Sequence, residues 1–132
     1  MKADFGVIGM AVMGQNLALN VESRGYTVAV YNRTKARTEE FVREKANGKR
    51  IIPTYSLEEF VNALSTPRKL ILMVKAGAPT DAVLEQLFPL LSPGDVVIDG
   101  GNAHYADTER RIAQAQERGL RYLGTGISGG EE

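Results

Sequence analysis

The residues best suited to chemistry stand in short glycine-rich or polar runs, each placed directly after an apolar run. The first is Gly9-Met10-Ala11-Val12-Met13-Gly14, a Gly-x-Ala-x-x-Gly spacing close to the front of the chain. Gly9 permits a tight turn and Gly14 permits close packing of a helix on a strand. Ala11 is small enough to let a ligand approach the backbone. Between the glycines, free N–H groups and the positive end of a helix beginning near Met13 suit a pyrophosphate. Glycine turns of this kind also arise for purely geometric reasons, so the rest of the chain must decide the meaning of this one.

A second run, Asn32-Arg33-Thr34, closes a β-rich segment, and Lys35 and Arg37 follow it. Dinucleotide-binding domains selective for NAD usually carry an acid here to accept hydrogen bonds from the adenosine ribose. An asparagine, a guanidinium and a hydroxyl suit an anionic 2′-phosphate instead, so NADP is expected in preference to NAD. The plainer alternative is that these cations merely solvate a helix start.

Lys75, in Val74-Lys75-Ala76-Gly77, follows the apolar run Leu70–Val74, where its ammonium can reach an anion or simply meet solvent. Asn102, after Gly100-Gly101, offers a donor and an acceptor fit for a carboxamide or a substrate hydroxyl, or for a helix cap. Ser128-Gly129-Gly130 can form a nest of N–H groups for a carboxylate, or serve as an ordinary tail. His104 is the only histidine and reads as a surface residue, with no evident partner for general-base work. Asp4, Asp95 and Asp99 flank strands without histidine or cysteine beside them, so no metal is expected.

The elements that must position these runs alternate. A strand before Gly9 leads to a helix through Arg24, ended by Gly25, and Tyr26–Tyr31 forms the second strand. Thr34 caps a helix from Lys35 to about Ala46, and Ile51-Ile52 is strand again. Ser56-Leu57-Glu58-Glu59 reads as a capping box for a helix to about Leu64. Leu70–Val74 is continuously apolar, as in a strand covered on both faces. A helix over Pro79–Leu91, bent or ended by Pro89, leads to strand Val96–Asp99. A last helix, Tyr105–Arg118, precedes strand Leu120–Leu123. This order predicts an α/β fold of Rossmann-like, doubly wound type: a mainly parallel sheet in three layers, forming one domain over residues 1–132. In such sheets ligands bind at the carboxyl ends of the strands, where the chemical runs fall.

Composition narrows the class. Sixteen basic and sixteen acidic residues cancel, so the balance carries no nucleic-acid footprint. No apolar stretch approaches the length of a membrane span, and there is no cysteine, in keeping with a reducing, cytoplasmic setting.

Taken together, Gly9–Leu17, Asn32–Thr34, Met73–Gly77, Asp99–Asn102 and Gly126–Glu132 closely resemble the 6-phosphogluconate dehydrogenase family, over its amino-terminal coenzyme domain. The resemblance implies oxidative decarboxylation of 6-phosphogluconate to ribulose 5-phosphate and carbon dioxide, with hydride passing to NADP. It implies that Gly9, Met10, Ala11, Val12, Met13 and Gly14 bind pyrophosphate. Asn32, Arg33 and Thr34 would take the 2′-phosphate end, and Val74, Lys75 and Ala76 the nicotinamide side. Asn102 would touch coenzyme and substrate, while Ser128, Gly129 and Gly130 would hold substrate. The family's catalytic lysine and glutamate fall beyond Glu132, as does the helical domain that completes the pocket and dimer. Lys75 therefore does not stand in for that lysine, and this chain alone is expected to bind NADP without turnover. Exposed apolar area near the last strand would favour self-association. The alternatives are a stand-alone NADP-binding module, or the coenzyme domain of another β-hydroxyacid dehydrogenase.

Overall fold

The computed structural model describes residues 2–73, 78–100 and 105–124. Six strands, β1 (Phe5–Ile8), β2 (Val28–Tyr31), β3 (Ile51–Thr54), β4 (Lys69–Leu72), β5 (Val96–Asp99) and β6 (Arg121–Gly124), form one sheet in the order β3-β2-β1-β4-β5-β6. Every pairing is parallel, so the sheet is wholly rather than mainly parallel. The connections are α1 (Val12–Ser23), α2 (Lys35–Glu44), α3 (Leu57–Asn62), α4 (Ala78–Leu87) and α5 (Tyr105–Gln116).

Side chains alternate across the pleat and each face meets its own helices. Val7, Val28, Val30 and Ile71 bury against Ala18 of α1 and Phe41 of α2. Ile8, Ala29, Leu70, Leu72 and Val97 bury against Phe60 of α3, Leu84 and Leu87 of α4 and Ala115 of α5. These are the three layers expected, with both sheet faces apolar because both are covered. The chain changes faces between α2 and α3, and the strand order reverses between β1 and β4, which makes that junction the topological switch point.

Several boundaries differ from expectation. β3 continues through Pro53, tolerated because β3 is an edge strand where a missing N–H leaves no ladder bond unmade. α2 ends at Glu44, α3 at Asn62 and α5 at Gln116, each short of its expected end. Pro89 does end α4: Phe88–Leu90 tightens into a 3-10 turn. Ser56 Oγ accepts the Glu59 N–H at 3.0 Å, but Glu59 Oε1 reaches back to the Tyr55 N–H at 2.8 Å, one residue before the cap. Thr34 occupies the cap position of α2 without a side-chain cap bond. The Arg37 N–H that its hydroxyl would have served bonds instead to the Thr34 carbonyl, at 3.1 Å.

Candidate functional site

At the carboxyl edge of the sheet, the turn after β1 is built around Gly9, whose φ of 106° lies in the region that side chains disfavour. Its N–H donates to the Tyr31 carbonyl at 2.8 Å, tying the turn to the end of β2. Gly14, in the first turn of α1, lies so close to the Gly9 carbonyl that an added Cβ would collide with that oxygen. The two glycines thus let helix and turn touch through backbone alone.

Ala11 stands at the amino end of α1 with an extended backbone and no side-chain cap, and no acidic residue lies in the first turn. The opening N–H groups of this 12-residue helix have no intrahelical partners, and nothing in its first turn offsets the positive end of its dipole. Val12 and Met13 are exposed there. Met10 differs: its side chain is wholly buried, its N–H donates to Asn32 Oδ1 at 2.9 Å and its carbonyl accepts from Gln15 Nε2 at 2.8 Å. Met10 therefore braces the turn from behind and offers the edge no free donor.

Gly9, Asn32, Arg33 and Thr34 line one cavity of about 410 Å³, together with Ile8, Tyr31, Leu57, Ala82, Val83 and Gln86. Its lining takes in the paired ends of β1 and β2, the start of α3, and α4. Arg33 and Thr34 are exposed at its rim. Lys35 turns aside, its ammonium 5.4 Å from the centre of the Tyr55 ring. Burial, with Glu39 and Glu59 adding to it, holds the Tyr55 hydroxyl above its ordinary pKa.

The edge beyond β1 is fixed as well. The Met73 N–H donates to the Ile8 carbonyl at 2.7 Å, and the Gly100 N–H to the Leu72 carbonyl at 2.8 Å. Asp99, which ends β5, accepts a hydrogen bond from the Tyr122 hydroxyl at 2.8 Å and stands 3.5 Å from Arg111 Nη1. Arg111 is fully buried and its Nε donates to Asp81 at the start of α4, at 2.9 Å. Burial works against this guanidinium's charge, but its bond and charge pairing with Asp81 outweigh that and raise its pKa. The Arg111 bond, joined by one from Arg110, overcomes partial desolvation and holds the Asp81 carboxyl below its ordinary range. Burial and the Asp99 bond push the Tyr122 hydroxyl well above its usual value. The network ties α4, α5, β5 and β6 together.

The three aspartates weighed as metal ligands all have structural partners. Asp4 accepts the Thr27 N–H, Asp95 pairs with Arg68, and Asp99 belongs to the network above. Among the described residues no three histidine, cysteine or acidic side chains gather into a metal-binding group. Val74, Lys75, Ala76, Asn102, His104, Ser128, Gly129 and Gly130 lie outside the described residues. Leu57, Ala82, Val83 and Gln86 were not legible in the sequence as cavity residues, because only the crossover of α3 and α4 brings them there. Among the described residues no helix is long and apolar enough to cross a membrane.

Residues 4–132 match the family described as the NAD binding domain of 6-phosphogluconate dehydrogenase. The chain is 58% identical over 128 residues to the decarboxylating 6-phosphogluconate dehydrogenase of Synechococcus elongatus, covering 97% of this chain and 27% of that one. It is also 58% identical over 131 residues to the NADP(+)-dependent, decarboxylating enzyme of Bacillus subtilis, covering 99% and 28%. A solved structure of Plasmodium falciparum 6-phosphogluconate dehydrogenase, studied in its apo form and with NADP+ or 6-phosphogluconate, superposes with a TM-score of 0.83. It shares 44% identity, over 92% of this chain and 27% of that chain. The chain thus spans little more than a quarter of the length of the relatives it matches.

Proposed function

The chain belongs to the 6-phosphogluconate dehydrogenase family, within its coenzyme-binding domain, and from that membership we propose that it binds NADP for the oxidative decarboxylation of 6-phosphogluconate. One observation carries the coenzyme reading: Asn32, Arg33 and Thr34 line the same cavity as Gly9, with no carboxylate among its lining residues. A 2′-phosphate held there meets a guanidinium and a hydroxyl, and NAD loses that contact.

The residues fit a dinucleotide. The glycine pair leaves room where side chains would intrude, and the uncapped start of α1 supplies N–H donors for the pyrophosphate at Ala11, Val12 and Met13. Ile8, Leu57, Ala82 and Val83 give apolar cover for the adenosine end, and Arg33 closes its outer side. The bound coenzyme supplies a hydride acceptor. The remaining assignments follow the family resemblance: Val74, Lys75 and Ala76 toward the nicotinamide, Asn102 between coenzyme and substrate, and Ser128, Gly129 and Gly130 against the substrate. In this reading residues 1–132 act as one coenzyme domain, in the cytoplasm, and the base and acid of the reaction come from polypeptide beyond Glu132.

Calorimetric titration with NADP and with NAD tests the reading. The expected result is tighter binding of NADP by about tenfold or more, the worth of one charge-assisted phosphate contact. Equal affinities, or a preference for NAD, overturn it.

A further inference from the structure

We propose that Asn32 is a positioning residue that locks the glycine turn and the β2–α2 turn into one unit, and so aims the donors of both; the proposal rests on the coenzyme reading above. Its carboxamide stands between two backbone groups of opposite kind. Oδ1 accepts the Met10 N–H at 2.9 Å, and Nδ2 donates to the Thr34 carbonyl at 3.2 Å. A donor on one side and an acceptor on the other fix which way the amide faces, since only one orientation satisfies both.

Among the described residues, few other bonds constrain the turn at this point. Gly9 is held by Tyr31, and the Met10 carbonyl by Gln15 Nε2. The Asn32 bond sets the plane of the Gly9–Met10 peptide, immediately ahead of the uncapped N–H groups of α1. On its other side the same amide holds the Thr34 carbonyl, which also accepts the Arg37 N–H, so it orients the turn carrying Arg33. Asparagine is the neutral counterpart of the acid found in NAD-selective domains. An aspartate would still accept the Met10 N–H. It would also turn a second acceptor toward the Thr34 carbonyl and set a negative charge beside Arg33. The carboxamide keeps the lock and omits the charge.

Two variants, Asn32→Leu and Asn32→Asp, test this with two readouts: hydrogen exchange of the Met10 amide without coenzyme, and titration with NADP and NAD. Asn32→Leu is expected to speed Met10 exchange about tenfold and to weaken both coenzymes by a similar factor, leaving their ratio unchanged. Asn32→Asp is expected to keep Met10 protected and to leave NAD affinity within about twofold, while NADP weakens about tenfold or more. Met10 exchange as slow in Asn32→Leu as in the unaltered protein would overturn the proposal. So would loss of NADP affinity alone in that variant, which would make Asn32 a direct phosphate ligand. If the unaltered protein binds neither coenzyme while Met10 exchange follows the expected order, the lock is upheld and the coenzyme assignment falls.

Discussion

Gly14 packs its Cα against the carbonyl oxygen of Gly9, a contact between backbone groups that neither partner can relieve by rotating a side chain. Gly14→Ala must therefore push α1 away from the turn. Overpacking of this kind costs about 1–3 kcal/mol. Thermal denaturation should show the loss, and coenzyme titration should show weaker binding of NADP and NAD alike, because the pyrophosphate is common to both. Unchanged stability and affinity would mean that the turn yields more easily than its geometry implies.

Arg33 lines the cavity rim, is exposed, and has no carboxylate within ion-pair distance among the described residues. Arg33→Glu should cost NADP about 1.5–3 kcal/mol for the lost charge-assisted contact, with repulsion added by the new carboxylate. NAD should lose far less. Paired calorimetric titrations check this, and equal weakening of both coenzymes would remove Arg33 from the 2′-phosphate site.

The parts of this molecule that could be read from the sequence are those fixed by near neighbours. The Gly9 turn, the Gly25 helix end, the Ser56 cap and the Pro89 break all depend on residues a few positions apart, and all stand where the sequence puts them. Thr34 stands at the cap position but its hydroxyl does not cap, because the backbone of its own turn captures the Arg37 N–H, a choice that depends on how the turn folds. The Met10 bond to Asn32 links the turns that follow two different strands, β1 and β2, and no local pattern announces it. Arg111 sits where α5 meets the sheet, a position that helical period would give to an apolar residue. Only the tertiary packing of α5 against α4 and β5 brings Asp81 and Asp99 to it.

Tyr122 is buried and gives its proton to a hydrogen bond with Asp99, so its hydroxyl stays neutral in the folded protein well above its ordinary pKa of 10.0. In the unfolded chain it ionises near that ordinary value. The folded state then binds one proton more, and stability present below pH 10 falls as pH rises further, by about 1.4 kcal/mol per pH unit. Tyr122→Phe should lower stability at neutral pH, by losing the bond to Asp99, yet flatten the alkaline decline by that slope. Urea denaturation between about pH 9 and pH 12 measures it. Parallel declines in the two proteins would show that Tyr122 ionises alike in both states.

Binding and turnover should separate in this chain. The turn after β1, the uncapped start of α1 and the Asn32–Thr34 rim lie within residues 9–34, on a six-stranded parallel sheet. NADP should therefore bind to the native state and raise its melting temperature. At one hundred times the Kd the expected gain is about 2.7 kcal/mol. Chemistry asks for more: a base on the substrate hydroxyl, an acid for the enediol, and a pocket that holds the sugar against the nicotinamide. The family resemblance assigns the base and the acid to sequence beyond Glu132, and Ser128 to Gly130 would supply one wall of that pocket. NADP should thus shift the melting curve while 6-phosphogluconate yields no NADPH. Absorbance at the reduced-nicotinamide band, followed with enzyme, coenzyme and substrate together, decides the second half. Sustained substrate-dependent NADPH formation by the 132-residue chain would sink this division of labour and direct the search for a base to Lys75 and His104.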